Sequence, residues 1–302
     1  MKIVVAGGTG FIGSHLCHTL IQARHEVTVL SRHPTMAKKH LPESVIVVEW
    51  DGVSSGALDP TFEGKEALIN LCGEPLFNAR WTESRKQIIR HSRTGTTRLF
   101  VEALSRTTQG PKILVNASGV GFYGAHPTQT MTEASPNGTG FLADLCVAWE
   151  REARRAQGFG VRVLVLRFGM VLGKSGGALP KMALPFRFFL GGPILPGTQK
   201  VSWIHQKDLS DLIEWLLHKP EISGPVNAVA PESVSMKEFC KALGHALGRP
   251  SWFPVPGFIL NLALGEMATL MTTGQAVRPV VADQTGFTFS FPRLDSALRS
   301  LL

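Results

Sequence analysis

The chain has 302 residues, 44% of them hydrophobic and 18% charged, with a formal net charge of +8 and a pI near 9.6. That length and balance fit a globular protein with a substantial core, as one large α/β unit or two domains, and exclude a disordered chain. The positive residues are scattered with no nucleic-acid motif beside them, so no nucleic-acid partner is expected. The four cysteines, Cys17, Cys72, Cys146 and Cys240, are too far apart for a zinc site or a disulfide framework.

Residues 1–13 read MKIVVAGGTGFIG. The apolar run Ile3 to Ala6 is continuous, as in a strand buried on both faces of a parallel sheet. Gly7, Gly8, Gly10 and Gly13 follow, and Phe11 to Ala23 carries apolar residues at helical spacing. Strand, glycine turn and helix in that order let a pyrophosphate approach the backbone amides at a helix N-terminus, because no Cβ atoms stand in the way. The expected cofactor contacts are Gly7, Thr9, Gly10, Phe11, Ile12 and Gly13. A second strand, Glu26 to Ser31, ends in Ser31, Arg32 and His33, where an NAD site usually places Asp or Glu. A guanidinium beside a hydroxyl binds a 2′-phosphate by charge-assisted hydrogen bonds, so these residues predict NADP.

Ser44 to Glu49 reads as a third strand, followed by Asp51, within reach of the adenine edge. Ala67 to Cys72 is a fourth, delivering Leu71, Cys72, Gly73 and Glu74 to the carboxyl edge of the sheet, where ligands bind in open α/β sheets. A helical region spans Thr82 to Leu104, with Thr82 as its N-cap and Arg93 near its middle. The fifth strand, Lys112 to Ala117, runs into Ser118 and the loop Gly119 to Gly124. Phe141 to Ala156 is helical, and the sixth strand, Arg162 to Arg167, brings Arg167 and Phe168 to the same edge. These alternations predict a Rossmann-type, doubly wound parallel sheet in an NADP-binding domain of residues 1–168. The Gly/Pro-rich stretch beyond Phe168 cannot be a regular βαβ unit. Helices are expected from Lys207 or Asp208 to His218, from Met236 to Leu247 behind an N-cap at Ser235, and from Phe258 to Met271. Residues 169–302 are read as a smaller C-terminal substrate-binding lobe, with segments near 200–230 returning to the first domain and the substrate in the cleft. No secretory signal precedes the first strand and no apolar stretch reaches membrane-spanning length. A cytoplasmic protein without a membrane partner is expected.

The glycine triad Gly7, Gly10 and Gly13, the Ser118 to Gly124 segment, and Trp203-Ile204-His205 with Asp208 resemble the extended short-chain dehydrogenase/reductase superfamily. Asn70 to Glu74, Arg80-Trp81-Thr82, Ser92-Arg93, Thr96-Thr97, Trp149-Glu150 and Leu190 to Pro193 look more closely like its atypical epimerase family subfamily. The resemblance implies NADP bound through Ser31, Arg32, Leu71, Cys72 and Arg93 besides the glycine loop; Asp51, Gly73, Ser118, Arg167 and Phe168 are further expected contacts from their places in the chain. It also implies a monomer, or a homodimer through the helices Thr82 to Leu104 and Phe141 to Ala156. The sequence departs from the superfamily in one respect. A nicotinamide-dependent carbonyl reaction needs a proton donor or acceptor, which the superfamily supplies with a Tyr-x-x-x-Lys pair. The single tyrosine here is Tyr123, four residues before Pro127, and Phe141 and Leu145 stand where the pair belongs.

Proton chemistry then falls to Ser118, Tyr123, Glu74 and His205 as candidate catalytic residues. The alternative roles are a cofactor or backbone contact for Ser118, packing for Tyr123, loop support for Glu74 and helix capping for His205. Glu74, Arg80, Trp81 and Trp203 are the candidate pocket residues; no metal ligands are expected. Two functions fit: an NADP-dependent oxidoreductase or epimerase-like enzyme acting on a small polar substrate, or an NADP-binding redox sensor without catalysis.

Overall fold

Buried apolar runs alternating with amphipathic helices build a seven-stranded sheet in the computed structural model, which describes residues 1–302 apart from the side chain of residue 263. The strands are β1 (Lys2–Ala6), β2 (Glu26–Ser31), β3 (Ile46–Glu49), β4 (Ala67–Asn70), β5 (Ile113–Gly119), β6 (Arg162–Phe168) and β7 (Gly224–Ala228). Their spatial order is β7-β6-β5-β4-β1-β2-β3, with every pair parallel. The first six are those expected from the sequence, in the doubly wound order. β7 has no such signal: its sequence, GPVNA, opens with Gly and Pro, and only its edge position, paired to β6 alone, tolerates the missing amide of Pro225.

The continuous apolar run of β1 serves two cores. Ile3 and Val5 join the cluster formed with α1 (Phe11–Gln22), through Leu16 and Leu20. Val4 and Ala6 point the other way, to Phe100, Val101 and Leu104 beneath the second helical layer. The expected helix from Thr82 is interrupted. Thr82 caps α2 (Glu83–Arg90), accepting from the Arg85 amide, but a wider π-type turn covers His91–Gly95 before α3 (Thr96–Arg106) resumes. Such turns cluster at functional sites, and this one carries Arg93.

The other helices of eight or more residues are α4 (Phe141–Arg154), α5 (Leu179–Arg187), α6 (Gln206–Leu217), α7 (Met236–Leu247), α8 (Gly257–Leu264) and α9 (Leu294–Leu301). α6 lies against α1 through Leu209, Leu212 and Leu216 in the first cluster. α7 opens on the expected cap, as a full capping box between Ser235 and Glu238. The expected helix Phe258 to Met271 is broken at Gly265, whose φ of +62° suits glycine. Buried side chains of α5, α7 and α9 surround Trp203 in a separate core. Three carboxylates tie the late chain to earlier elements by accepting backbone amides: Asp208 from Ser290 and Phe291, Glu232 from Leu294, and Glu133 from Asn227 and Val281.

Candidate functional site

The turn after β1 is built so tightly that side chains are excluded from it. A Cβ on Gly13 would lie 2.2 Å from the Gly7 carbonyl oxygen, and one on Gly7, at φ +80°, would lie 2.8 Å from the Leu71 backbone. Gly10 is the N-cap of α1 and donates to Gly7, while no side chain caps the helix. The first-turn amides, including those of Phe11, Ile12 and Gly13 after Thr9, therefore keep donors for an anion. The Phe11 ring itself is wedged into a second glycine turn, where Cβ atoms on Gly173 or Gly176 would meet it at 2.6 Å.

At the end of β2 the Ser31 hydroxyl accepts from the His33 amide, and Arg32 is exposed with no ion pair or hydrogen bond among the described residues. Its charge reaches Cys72, whose thiol burial pushes up to about 12, too high for a reactive thiolate. An unpaired guanidinium beside a hydroxyl, across from an amide-lined glycine turn, fits a phosphorylated dinucleotide. Asp51 differs from expectation. Its carboxylate turns into its own loop, accepting from the amides of Val53 and Ser54 at 2.9 Å and from the Ser54 hydroxyl at 2.5 Å, which hold it below the usual carboxylate range.

Past β4, Leu71 pairs with Ala6 and the Cys72 amide donates to Asn70. Asn70 lies in a buried polar network with Asn116, Thr97 and the Trp149 indole. Glycine at position 73 makes room for Arg93, whose Cζ would sit 3.0 Å from an added Cβ. The Arg93 guanidinium lies over the Trp149 ring and donates to the carbonyls of Glu74 and Ile89. Burial lowers its pKa, and no carboxylate within salt-bridge distance neutralises it.

Arg93, Ser118, Phe168 and Cys146 meet at a cavity of about 530 Å³ beyond the carboxyl ends of β5 and β6. Its walls are largely apolar: Leu76, Phe77, Trp81, Phe141, Leu142, Leu145, Met170 and Met236, with Lys200 and Gln275 at the far side. Phe141 and Leu145, in the places of the missing Tyr and Lys, both line it. A neighbouring cavity of about 570 Å³ over residues 123–139 contains none of the expected cofactor residues.

Ser118 is buried and donates to Glu150 at 2.8 Å. Glu150, itself buried, holds Arg167 through both carboxylate oxygens at 2.9 Å and accepts from Arg154. Arg167 also donates to the Tyr123 oxygen, and its guanidinium stacks 3.4 Å from the Phe122 ring centroid. Sequence reasoning gave Glu150 no role. The available signal was a carboxylate among the buried Cys146, Trp149 and Ala153 on one helix face.

Several expected site residues stand elsewhere. Arg167, an expected cofactor contact, is buried and bound to Glu150 and Tyr123, so its charge is matched inside the protein. Tyr123 is fully buried, its hydroxyl donates to Asn227 at 2.6 Å, and burial pushes its pKa up; it is no proton donor to the cleft. Glu74 pairs with Arg85 at 3.0 Å and supports the loop. His205 caps α6 by accepting from the Lys207 amide, contacts Ser300 through Nε2 and stacks on Phe291, while burial lowers its pKa to about 4. Trp203 is fully buried in the C-terminal core, because its short strand (residues 203–205) pairs with residues 170–172 inside that layer. Arg80 is exposed and donates to the Leu262 carbonyl, away from the lining. Trp81 does line the cavity, edge-on to Phe141.

A parallel sheet whose first βα turn is cleared of Cβ atoms, with its ligand groups at the carboxyl edge, defines the dinucleotide-binding Rossmann class. Residues 3–229 match the model of the NAD dependent epimerase/dehydratase family, and residues 255–301 match DUF1731, a domain of unknown function. The chain belongs to that family. It is 39% identical to epimerase family protein YfhF of Bacillus subtilis, covering 100% of this chain and 98% of that one. It is 37% identical to epimerase family protein SDR39U1 of Homo sapiens over the whole of both. The crystal structure of human SDR39U1 (isoform 2) with NADPH superposes with a TM-score of 0.90 at 36% identity, covering 100% and 99% of the two chains. A Thermus thermophilus UDP-glucose 4-epimerase in complex with NAD shares the fold at 18% identity and a TM-score of 0.80, over 100% and 97%. Among the described residues no helix is long and apolar enough to cross a membrane.

Proposed function

We propose that the chain is an NADP(H)-dependent oxidoreductase whose substrate has an apolar body and one oxygen function, bound in the cavity between the sheet edge and residues 169–302. The NADPH in the human relative's structure supports the cofactor, as do the glycine turn and the unpaired Arg32. The first-turn amides of α1 hold the pyrophosphate, Arg32 with Ser31 the 2′-phosphate, and Arg93 a further negative charge. When bound, NADP(H) supplies hydride transfer to or from the substrate carbon.

One observation carries the enzyme reading: Ser118 reaches the cavity while its proton is held by the buried Glu150. In alcohol oxidation the substrate hydroxyl gives its proton to the Ser118 oxygen as Ser118 gives its own to Glu150, and carbonyl reduction runs the same relay in reverse, from protonated Glu150 through Ser118 to the carbonyl oxygen. Apolar walls exclude water from that exchange and replace the small polar substrate suggested by sequence alone. The redox-sensor alternative rests on Phe141 and Leu145, which can move no proton, and on the internal partners of Glu74, Tyr123 and His205.

Single-turnover absorbance of the NADPH-loaded protein against carbonyl compounds graded from apolar to polar tests the reading. Oxidation is expected with apolar-bodied carbonyls. Ser118→Ala should slow it about 10²- to 10⁴-fold, the usual span of a general acid–base contribution, while Tyr123→Phe leaves it unchanged. Tight NADPH binding with neither oxidation nor isomerised product across the panel would establish the sensor.

A further inference from the structure

On the amino-edge side of the sheet, away from the cavity, the turn before β2 meets the last turn of α6. His25 stands in that turn, with Glu214 on α6 and His218 four residues later at its C-cap, and their ligand atoms converge within 4.8 Å. One carboxylate oxygen of Glu214 lies 3.5 Å from His25 Nε2 and 3.2 Å from His218 Nε2. A tetrahedral ion at about 2.0–2.1 Å from its ligands sets them about 3.3–3.4 Å apart, and the two separations bracket that value.

A second observation points to the same place. His25 has a side chain only 4% exposed, yet its Nε2 has no hydrogen-bond partner. A buried polar atom facing a carboxylate at too long a distance is a group awaiting a third atom between them. We propose that His25, Glu214 and His218 form a binding site for a divalent transition-metal ion of the zinc class. Two imidazoles and one carboxylate select such an ion over magnesium or calcium, which take oxygen ligands. Solvent completes the coordination, since the His218 side chain is 54% exposed.

The site is prepared for the ion. The His25 ring is already oriented by a neighbour. Its Nδ1 lies 3.0 Å from the Met1 amine, which fixes the ring with Nε2 aimed at Glu214. Ligation through Nε2 leaves the ring proton on Nδ1, so binding displaces one proton from the His25–amine pair. The i,i+4 spacing of Glu214 and His218 places both on one helix face without rearrangement.

The test is titration of the EDTA-treated full-length protein with Zn2+ by calorimetry, with Co2+ as a spectroscopic probe for the visible bands of four-coordinate cobalt. One equivalent per chain is expected, with proton release. His218→Ala removes an exposed side chain and leaves the core intact. It should weaken Zn2+ binding at least as much as loss of an outer-shell partner does, about 10- to 100-fold. Glu214→Gln should do the same, and NADPH affinity should not change in either variant. Stoichiometric binding that is unaltered in both variants, or no binding at one equivalent, overturns the proposal.

Discussion

Arg32 is an exposed cation without an internal partner among the described residues, so the proposed 2′-phosphate contact can be tested at this one side chain. Arg32→Ala should weaken NADP about 10- to 100-fold, the effect of one charge-assisted hydrogen bond of about 1.5–3 kcal/mol, and leave NAD unchanged in parallel calorimetric titrations. Equal losses for both cofactors would remove the 2′-phosphate assignment. The tight glycine turn and the exposed position of Arg32 were legible in the sequence because both depend on neighbours within a few residues. Tyr123, Arg167, His205 and Trp203 were visible as chemical types but not as orientations. Their partners are Asn227, Glu150, Ser300 and the C-terminal core, and only the folded chain sets where a side chain points. Glu150 shows the converse: its helix position was readable, but not that Ser118 and Arg167 would arrive at it from two different strands.

Among the elements, the turn between β1 and α1 leaves no room for a side chain at Gly13. Gly13→Ala places a methyl 2.2 Å from a backbone carbonyl, with no flexible side chain to yield. The turn must open, so the variant is expected to lose NADPH affinity by at least about tenfold and to unfold at lower urea than the parent, by about 1–3 kcal/mol as for other overpacked sites. Unaltered NADPH affinity would show that the turn does not hold the dinucleotide. Six strands were readable because a buried parallel strand is a run of Val, Ile and Leu whatever surrounds it. β7 was not, since a short edge strand with Pro225 gains its place from β6 and not from its own composition. The π-type turn at His91–Gly95 was equally hidden: the apolar spacing continues through it, and it is the packing of Arg93 against Gly73 and Trp149 that accompanies the widened turn.

Across the whole molecule, acid should act through buried imidazoles. His205 is held near a pKa of about 4 by burial, against 6.5 when free, so between those values the unfolded chain binds the extra proton. Its contribution is present in full above pH 6.5 and is lost as the pH falls toward 4, up to about 3 kcal/mol at 1.36 kcal/mol per pKa unit. His15 and His25, also lowered by burial, act in the same direction. His205→Asn keeps a capping acceptor for α6 and should flatten the decline of urea stability between pH 6.5 and 4. A slope identical to the parent's would mean that His205 is not the group titrating.

The placement of β7 also sets an order of events during synthesis. Six strands are complete once Phe168 has left the ribosome, yet the outer side of β6 has no neighbour until residues 224–228 emerge. For that interval a hydrophobic strand presents a row of free backbone donors and acceptors, the arrangement most prone to pair with another chain. Slowing translation across residues 169–223 lengthens the exposure, so aggregation of the nascent protein should depend on elongation rate there more than anywhere earlier in the chain.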